Sequence, residues 1–160
     1  MKNNNPKRTT IEILFEADGG VIQAIANRHE GIADKVYRGL HHTIQRAKSS
    51  GGYFGVVLRN EVGEVIGFAH FIQSGEQPTQ WLYTDLWVAP EQRRRGNAKR
   101  IVRAGCEHLL QMGAKTLLCT VDPENLPSLK TQEALGFGEI ENRPFAFFET
   151  EGLLMFKKEL

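Results

Sequence analysis

The spacing of hydrophobic and polar positions changes several times along this 160-residue chain, and each change marks the end of a predicted element. Alternating or continuous apolar runs predict strands, and apolar positions three or four residues apart predict helices. Strands are predicted over 11–15, Tyr53–Arg59, 65–72, Gln80–Val88 and Thr116–Val121, after Phe137 to about residue 142, and over 153–158. Helices are predicted over 21–28, 32–48, 98–112 and up to Leu135. The predicted order is therefore βααβββαβαββ.

A basic loop separates the predicted fourth strand from the third helix, and it contains Arg93, Arg94, Arg95 and Gly96. The first N–H groups of a helix have no partner within that helix, and this end carries about half a positive elementary charge. Gly96 and Ala98 leave the main chain accessible, and the arginines add charge-assisted donors. The loop therefore predicts a pyrophosphate site. The alternative is a solvated basic turn.

Two common phosphate-binding motifs do not match this loop. A Walker loop ends in Gly-Lys-Ser/Thr, whereas Gly96 is followed by Asn97 and Ala98, and a dinucleotide fingerprint needs three glycines. The pattern Gln/Arg-x-x-Gly-x-Gly/Ala does match, as Arg93, Gly96 and Ala98. In this motif the chain resembles the GNAT superfamily of acyl-CoA-dependent N-acyltransferases.

A second motif supports the resemblance, since an Asn after the fifth strand, a helix and a closing Gly-Phe pair occur at the family spacing as Asn125, Gly136 and Phe137. Asn125 also suits a helix N-cap and Gly136 a left-handed helix end, but those local roles do not explain the order of both motifs. The resemblance implies an α/β fold with one mixed sheet and helices on both faces. We expect a flexible N-terminus over residues 1–8 and a single domain over 9–160.

The resemblance also implies acetyl-CoA as the cosubstrate and no metal. The backbone of Leu86 and Val88 is expected to bind the pantetheine arm, the loop from Arg93 to Lys99 the pyrophosphate, and Asn125 the pantetheine or the sulfur end. The full set of predicted cofactor-binding residues is Leu86, Trp87, Val88, Arg93, Arg94, Arg95, Gly96, Asn97, Ala98, Lys99, Asn125 and Ser128.

Asp85 is the candidate general base. A lysine-like amine with a pKa near 10.4 must lose a proton before it attacks a thioester, which costs about 4.6 kcal/mol at pH 7. The resemblance implies a carboxylate on the fourth strand for this step, since family members often place one there, and Asp85 is the only carboxylate on that predicted strand. Simple alternation places Thr84, Leu86 and Val88 on one face and Asp85 on the other, and a β-bulge would change this arrangement. The alternative is an ordinary Asp that lies at the surface or forms a hydrogen bond within a turn.

Gln132 is the second candidate catalytic residue, because it occupies the position at which many family members have a Tyr that protonates the departing thiolate. An amide can donate a hydrogen bond to sulfur but cannot act as an acid. Departure of a thiolate with a pKa near 8.5 costs only about 2 kcal/mol at pH 7, so turnover without an acid is feasible.

The composition gives no support for a nucleic-acid-binding or membrane-spanning protein. A chain with 41% hydrophobic residues and a net charge of +1 fits one domain with a full core and has no global attraction to nucleic acid or membranes. The first ten residues are polar, and no apolar run approaches the ~20 residues of a membrane span. Because the sequence predicts neither a signal peptide nor a membrane span, the expected compartment is the cytoplasm. Cys106 and Cys119 lie in apolar segments and are expected as buried free thiols.

Acceptor recognition is expected, by the resemblance, in residues 28–36 and in the loop after Asn142. The aromatic residues in that loop, which either line the pocket or pack in the core, are Phe145, Phe147 and Phe148. The acidic residues that weakly favour a cationic acceptor are Glu141, Glu149 and Glu151. His41 and His42 are expected at the surface, and His70 is expected as a hydrogen-bonded histidine of the sheet.

The sequence therefore predicts an N-acetyltransferase that moves an acetyl group from acetyl-CoA to the primary amine of a small molecule or peptide by direct attack. Two alternatives stay open. Gln132 motivates a catalytically inactive CoA-binding regulator, and the three consecutive arginines motivate a nucleic-acid-binding module. No nucleic-acid or membrane partner is expected, and a homodimer is left open.

Overall fold

A computed structural model describes residues 8–16, 18–141 and 152–160. The strands are β1 (Thr10–Leu14), β2 (Tyr53–Arg59), β3 (Val65–Gln73), β4 (Gln80–Val88), β5 (Thr116–Val121), β6 (Gly138–Ile140) and β7 (Leu154–Glu159). The helices are α1 (Gly19–Ala26), α2 (Ala33–Ser50), α3 (Asn97–Gln111) and α4 (Leu126–Ala134), with a short 3₁₀ turn over Pro90–Gln92. The order βααβββαβαββ is confirmed.

One seven-stranded sheet, in the order β1-β2-β3-β4-β5-β7-β6, forms the centre of the described fold. β4 and β5 pair in parallel, and the other neighbouring strands pair antiparallel. Alternate residues of β2 enter different apolar clusters, because side chains along a strand point to opposite faces. Phe54 packs with Ile101 of α3, whereas Val57 packs with Ile22 of α1 and Ile44 of α2. The predicted mixed sheet with helices on both faces is confirmed.

The parallel pair β4 and β5 separates along its length. Gln80, Trp81 and Leu82 pair with Thr116, Leu117 and Leu118, and no described pairing continues from Tyr83 onward. Because the two strands diverge, the backbone of the second half of β4 is open on the side towards β5. This opening lies directly before the loop that leads into α3.

A β-bulge interrupts the pairing between β3 and β4. Phe68 pairs with Trp87 and His70 pairs with Thr84, so β4 has one extra residue opposite β3. Phe68 and His70 share a face of the sheet, and their partners Thr84 and Trp87 therefore share it as well. Simple alternation through β4 is thus wrong beyond Thr84, and the bulge considered at the sequence level is present. Asp85 lies within it with a φ of 55°.

Three further predictions concern exposed histidines, free cysteines and two loop or terminal segments, and their outcomes differ. His41 and His42 are exposed, as predicted. Cys106 and Cys119 are free thiols, although only Cys119 is buried and Cys106 is half-buried. Residues 1–7 of the predicted flexible N-terminus and residues 142–151, with the three aromatic residues, Glu149 and Glu151, lie outside the described residues, whereas Glu141 is described and exposed. In the described part of the chain, every helix is too short or too polar to cross a membrane.

Candidate functional site

A cleft of about 730 Å³ lies at the opening between β4 and β5. It is bounded by the end of β4, the basic loop, the first turn of α3 and the first turns of α4. The described lining residues are Leu86, Trp87, Val88, Gln92, Arg93, Arg94, Gly96, Asn97, Ala98, Lys99, Asn125, Pro127, Ser128 and Thr131. This lining includes three cationic side chains and no carboxylate among the described residues, so its charge favours an anionic ligand.

The N-terminus of α3 opens into this cleft. Gly96 is the N-cap residue with a φ of 75°, a left-handed conformation that glycine adopts without steric cost. No side chain caps the helix, and its first N–H groups have no intrahelical partner. A Cβ added at Gly96 would meet no heavy atom within 4 Å, which leaves space for a ligand beside the main chain. The helix end can therefore donate several N–H bonds to one anion.

The three arginines of the loop have different positions. Arg93 donates from Nε to the carbonyl of Val88 at 2.9 Å, which fixes the loop against the end of β4. Arg94 adopts a φ of 61° and turns the chain sharply before Gly96. Arg93 and Arg94 line the cleft, and the exposed Arg95 does not. Asn97, which also lines the cleft, uses its buried amide Nδ2 to donate to the carbonyl of Gln92 at 2.9 Å.

The opposite wall of the cleft is the N-terminal part of α4. Asn125 is its N-cap, and its side-chain oxygen accepts a hydrogen bond from the N–H of Ser128 at 3.2 Å. Pro127 follows in the first turn, where the missing N–H is not needed. At the far end Gly136 adopts a φ of 86°, as predicted for the residue that ends this helix. The second motif therefore places Asn125 and Ser128 across the cleft from the α3 N-terminus.

Asp85 lies next to Leu86 of the cleft lining, within the β4 bulge. Its side chain is 43% exposed, and its Oδ2 lies 3.6 Å from Nε2 of the fully buried His70. The other ring nitrogen of His70, Nδ1, lies 2.7 Å from the hydroxyl of Tyr53. The hydrogen-bonded sheet histidine expected from the sequence is thus present. Desolvation by neighbouring residues raises the pKa of Asp85 even though part of the carboxylate reaches solvent.

Gln132 lies one residue beyond the lining residue Thr131 and is only 1% exposed. Its Oε1 accepts a hydrogen bond from the Tyr83 hydroxyl at 2.5 Å, and Sγ of Cys119 lies 3.5 Å from the same oxygen. Burial raises the pKa of Tyr83, and burial raises the pKa of Cys119 to about 12, so both partners are neutral at pH 7. The amide oxygen is therefore engaged within the protein.

The cleft brings together residues that are distant in sequence. All of the predicted cofactor-binding residues except Arg95 line it, and Gln92, Pro127 and Thr131 line it as well. Pro127 and Thr131 lie within the second motif, and Thr131 follows the predicted residue Ser128 by three positions, which places both on one face of the helix. The helical pattern could therefore have found Thr131. Tyr53 gave no signal in the sequence, because its contact with His70 depends on the register between β2 and β3.

Comparison with known proteins identifies the family. Residues 22–137 match the acetyltransferase (GNAT) family, which is more than half of the chain. No curated protein sequence matches the chain. The match includes the end of β4, the basic loop, α3 and α4, which together form the cleft.

Several solved structures share the fold at low sequence identity. The GNAT family N-acetyltransferase YhbS from Escherichia coli, in complex with CoA, has a TM-score of 0.71 and 19% identity over 99% of this chain and 85% of its own. The PaiA N-acetyltransferase from Thermoplasma acidophilum, in complex with coenzyme A, has a TM-score of 0.70 and 14% identity over 94% and 99%. The ribosomal-protein-S18-alanine N-acetyltransferase from E. coli has a TM-score of 0.68 and 19% identity over 95% and 94%. From the family match and the shared fold together, the chain belongs to the GNAT family of acetyltransferases.

Proposed function

We propose that this protein is an acetyl-CoA-dependent N-acetyltransferase in which a primary amine attacks the thioester directly. One observation supports this more than any other: a cationic cleft with an open helix N-terminus is lined by Leu86, and the residue before Leu86 is Asp85, a carboxylate in a strand bulge. The first feature suits a pyrophosphate, and the second suits removal of a proton from an ammonium group. Membership of the acetyltransferase family supports acyl-CoA-dependent acetyl transfer in general.

The cleft residues fit acetyl-CoA by charge and by shape. The N–H groups of the first α3 turn, together with Arg94 and Lys99, provide donors and positive charge for a pyrophosphate. The backbone of β4 near Leu86 and Val88 is open on the side towards β5 and is available to the amide groups of a pantetheine arm, although the Val88 carbonyl already accepts from Arg93. When bound, acetyl-CoA supplies an activated acetyl group at the end of that arm.

Asp85 would accept the proton of the incoming ammonium group. Deprotonating a lysine-like ammonium group at pH 7 costs about 4.6 kcal/mol, which is more than the cost of thiolate departure. A raised pKa brings the Asp85 carboxyl closer to the working pH, and this improves a general base. The bulge turns Asp85 towards His70, on the face of the sheet where α1 and α2 pack.

Departure of the CoA thiolate has a smaller free-energy cost than deprotonation of the amine. It costs about 2 kcal/mol at pH 7, less than half of the deprotonation cost, so an acid at Gln132 is not essential. The Gln132 oxygen already accepts from Tyr83, and the thiolate can take its proton from water or from the acceptor. A CoA-binding protein without catalysis is the alternative that this position favours, and the experiments below separate the two.

Gly96→Glu tests the cofactor site. The added carboxylate would occupy the open space beside the α3 N-terminus and repel a pyrophosphate, so isothermal titration should detect no acetyl-CoA binding. Because Gly96 has a φ of 75°, any side chain there also strains the backbone by about 1–2 kcal/mol.

The matched control is Gly113→Glu. Gly113 has a φ of 83° and equally open surroundings, but it lies at the other end of the 15-residue helix α3, about 22 Å away. This control carries the same strain and charge, and it should keep wild-type affinity. Wild-type affinity in a folded Gly96→Glu variant would show that the pyrophosphate binds elsewhere.

An amine panel tests catalysis. Acetyl-CoA is incubated with polyamines, aminoglycosides, small amines and peptides with free N-termini, and CoA release is followed together with the mass of the acceptor. An acetylated amine supports the proposed function. Acetyl-CoA binding with no release on any acceptor would favour the inactive CoA-binding protein, and salt-sensitive binding of DNA or RNA without CoA binding would favour the nucleic-acid module. The cytoplasmic location stays a prediction.

A further inference from the structure

His70 is a fully buried histidine on β3 whose ring nitrogens face two different polar groups. Nδ1 lies 2.7 Å from the hydroxyl of Tyr53 on β2. Nε2 has no hydrogen-bond partner among the described residues, and it points towards Oδ2 of Asp85 on β4 at 3.6 Å. The two contacts lie on opposite sides of the ring, so three neighbouring strands each contribute one group to a line that ends at the candidate base.

The charges of the neighbours select one tautomer of this imidazole. Tyr53 and Asp85 are the titratable groups that contact it in the described part of the chain. Burial lowers the pKa of His70 to about 3, so the ring is neutral at pH 7 and holds a single N–H. Burial and the negative charge of Asp85 raise the pKa of Tyr53, which keeps its hydroxyl protonated. A lone pair on Nε2 would repel the Asp85 carboxylate, whereas an N–H there is attracted, and the Tyr53 hydroxyl can then donate to Nδ1.

We infer that His70 is a positioning residue for Asp85: the Tyr53 hydroxyl donates to Nδ1, and the imidazole presents its Nε2–H to the Asp85 carboxylate. This inference rests on the proposed function, in which Asp85 is the general base. The present separation exceeds hydrogen-bond length, and a carboxylate about 0.7 Å closer would accept a normal N–H···O bond. The Asp85 side chain is 43% exposed, and in this inference its carboxylate makes that movement when an acceptor is bound.

In this arrangement the two carboxylate oxygens of Asp85 have different roles. Oδ2 accepts the hydrogen bond from His70, which orients the carboxylate, and Oδ1 is left to take the proton from the amine. His70 keeps its own proton throughout, so it supplies orientation and no proton. A hydrogen bond to the charged form of a carboxyl lowers its pKa. Loss of the His70 N–H should therefore raise the pKa of Asp85, by about one pH unit for a charge-assisted bond.

The first test observes the wild-type ring directly and needs neither an acceptor nor catalysis. Nitrogen-15 NMR of the full chain distinguishes the two neutral tautomers, with a His70→Gln variant used only to assign the signals. We expect the Nε2–H tautomer from pH 5 to pH 8 with no titration in this range. A dominant Nδ1–H tautomer, or a midpoint near neutral pH, would contradict the inference, even if the protein proves to be an acetyltransferase.

The second test follows the pH dependence of kcat for an acceptor found in the amine panel, because kcat reports the ionisations of the complex with bound acceptor, in which this hydrogen bond is expected. His70→Leu removes the donor, and the acidic limb should move to higher pH by about one unit while acetyl-CoA affinity is unchanged. His70→Gln can place an amide N–H near the same position, so it should restore part of the shift. An unmoved limb in a folded His70→Leu variant would refute the positioning role.

His108→Gln is the matched control for this series. Like His70, His108 has a buried Nε2 without a hydrogen-bond partner among the described residues, but its imidazole ring packs against the rings of Phe15 and Phe54. Its replacement should leave the pH profile in place. An equal shift in this variant would mean that loss of any buried histidine changes the profile, and the inference would fail. If the wild type transfers no acetyl group, the proposed function fails, and the tautomer remains measurable on its own.

Discussion

Replacing Asp85 by Asn removes the charge of the candidate base with almost no change in shape. Asp85 has a φ of 55° in the β4 bulge, and Asn is among the few residues that adopt this region readily. The variant should therefore keep the bulge, the position of Leu86 and the affinity for acetyl-CoA. Its effect on the rate would then report the chemistry of the carboxylate.

The expected loss follows from the proton that Asp85 would accept. At pH 7 about one amine in 10³ to 10⁴ is neutral when its pKa is 10.4. General bases typically contribute 10²- to 10⁴-fold, and we expect kcat/KM to fall within that range at pH 7. Above this pH, solution supplies the neutral amine, so the rate of the variant should rise about tenfold per pH unit until the pKa of the acceptor is reached.

The wild type should show a different profile. Desolvation raises the pKa of Asp85 above 3.8, and the carboxylate is the active form, so its activity is lost as the pH falls through that raised value. The assay is CoA release over pH 5 to pH 10 for both proteins with one verified acceptor. Asp122→Asn is the control, because this exposed Asp accepts from the Glu124 N–H and an amide oxygen can do the same. A wild-type rate and profile in Asp85→Asn would refute the assignment of the base.

Three further outcomes are expected. Gly105→Ala should lower the free energy of unfolding by about 1–3 kcal/mol in urea titrations, because the new Cβ would lie 2.1 Å from a ring carbon of Phe71; unchanged stability would contradict this packing. Gln132→Leu should cost about 1–3 kcal/mol, since the buried Tyr83 hydroxyl loses its acceptor, while titration calorimetry should show unchanged acetyl-CoA affinity. His70→Gln should reduce the loss of stability between pH 6.5 and about pH 3, because a buried histidine with a lowered pKa takes up its proton only on unfolding; an unchanged pH dependence would show that His70 is accessible to protons in the folded state.

Sequence patterns predicted the bounds of the central strands well, because these strands are largely buried on both faces and therefore consist mainly of apolar runs. β2, β4 and β5 have the predicted bounds, Tyr53–Arg59, Gln80–Val88 and Thr116–Val121. Each reads as a short apolar run that ends at turn residues, since helices cover both faces of the sheet. The end of the edge strand β1 differs from the prediction. β1 ends at Leu14, one residue before the expected end, and Phe15 is 60% exposed.

The parts of the candidate site with local causes were also predictable. An open helix N-terminus, a left-handed glycine and an N-cap Asn each have a signal within a few residues, as at Gly96, Asn125 and Gly136. The polar contacts across the fold have no such signal. Tyr53 and His70 are 17 residues apart in sequence, and Tyr83 and Gln132 are 49 apart. Strand register and helix docking create these pairs, and one sequence does not encode them in any short pattern.

Backbone conformation gives an independent reason to place function at this end of the sheet. Among the described residues other than glycine, only Asp85 and Arg94 have a positive φ. Such conformations are uncommon for residues with a Cβ, persist only where the surrounding structure enforces them, and concentrate at functional sites. Here Asp85 directly precedes the lining residue Leu86 on β4, and Arg94 is itself a lining residue of the cleft. The bulge at Asp85 breaks the alternation of β4 and brings a carboxylate beside His70, and the turn at Arg94 leads the chain to an uncapped helix. A regular strand and a capped helix would remove both features, so we expect that changes which relax either turn would reduce function before they reduce stability.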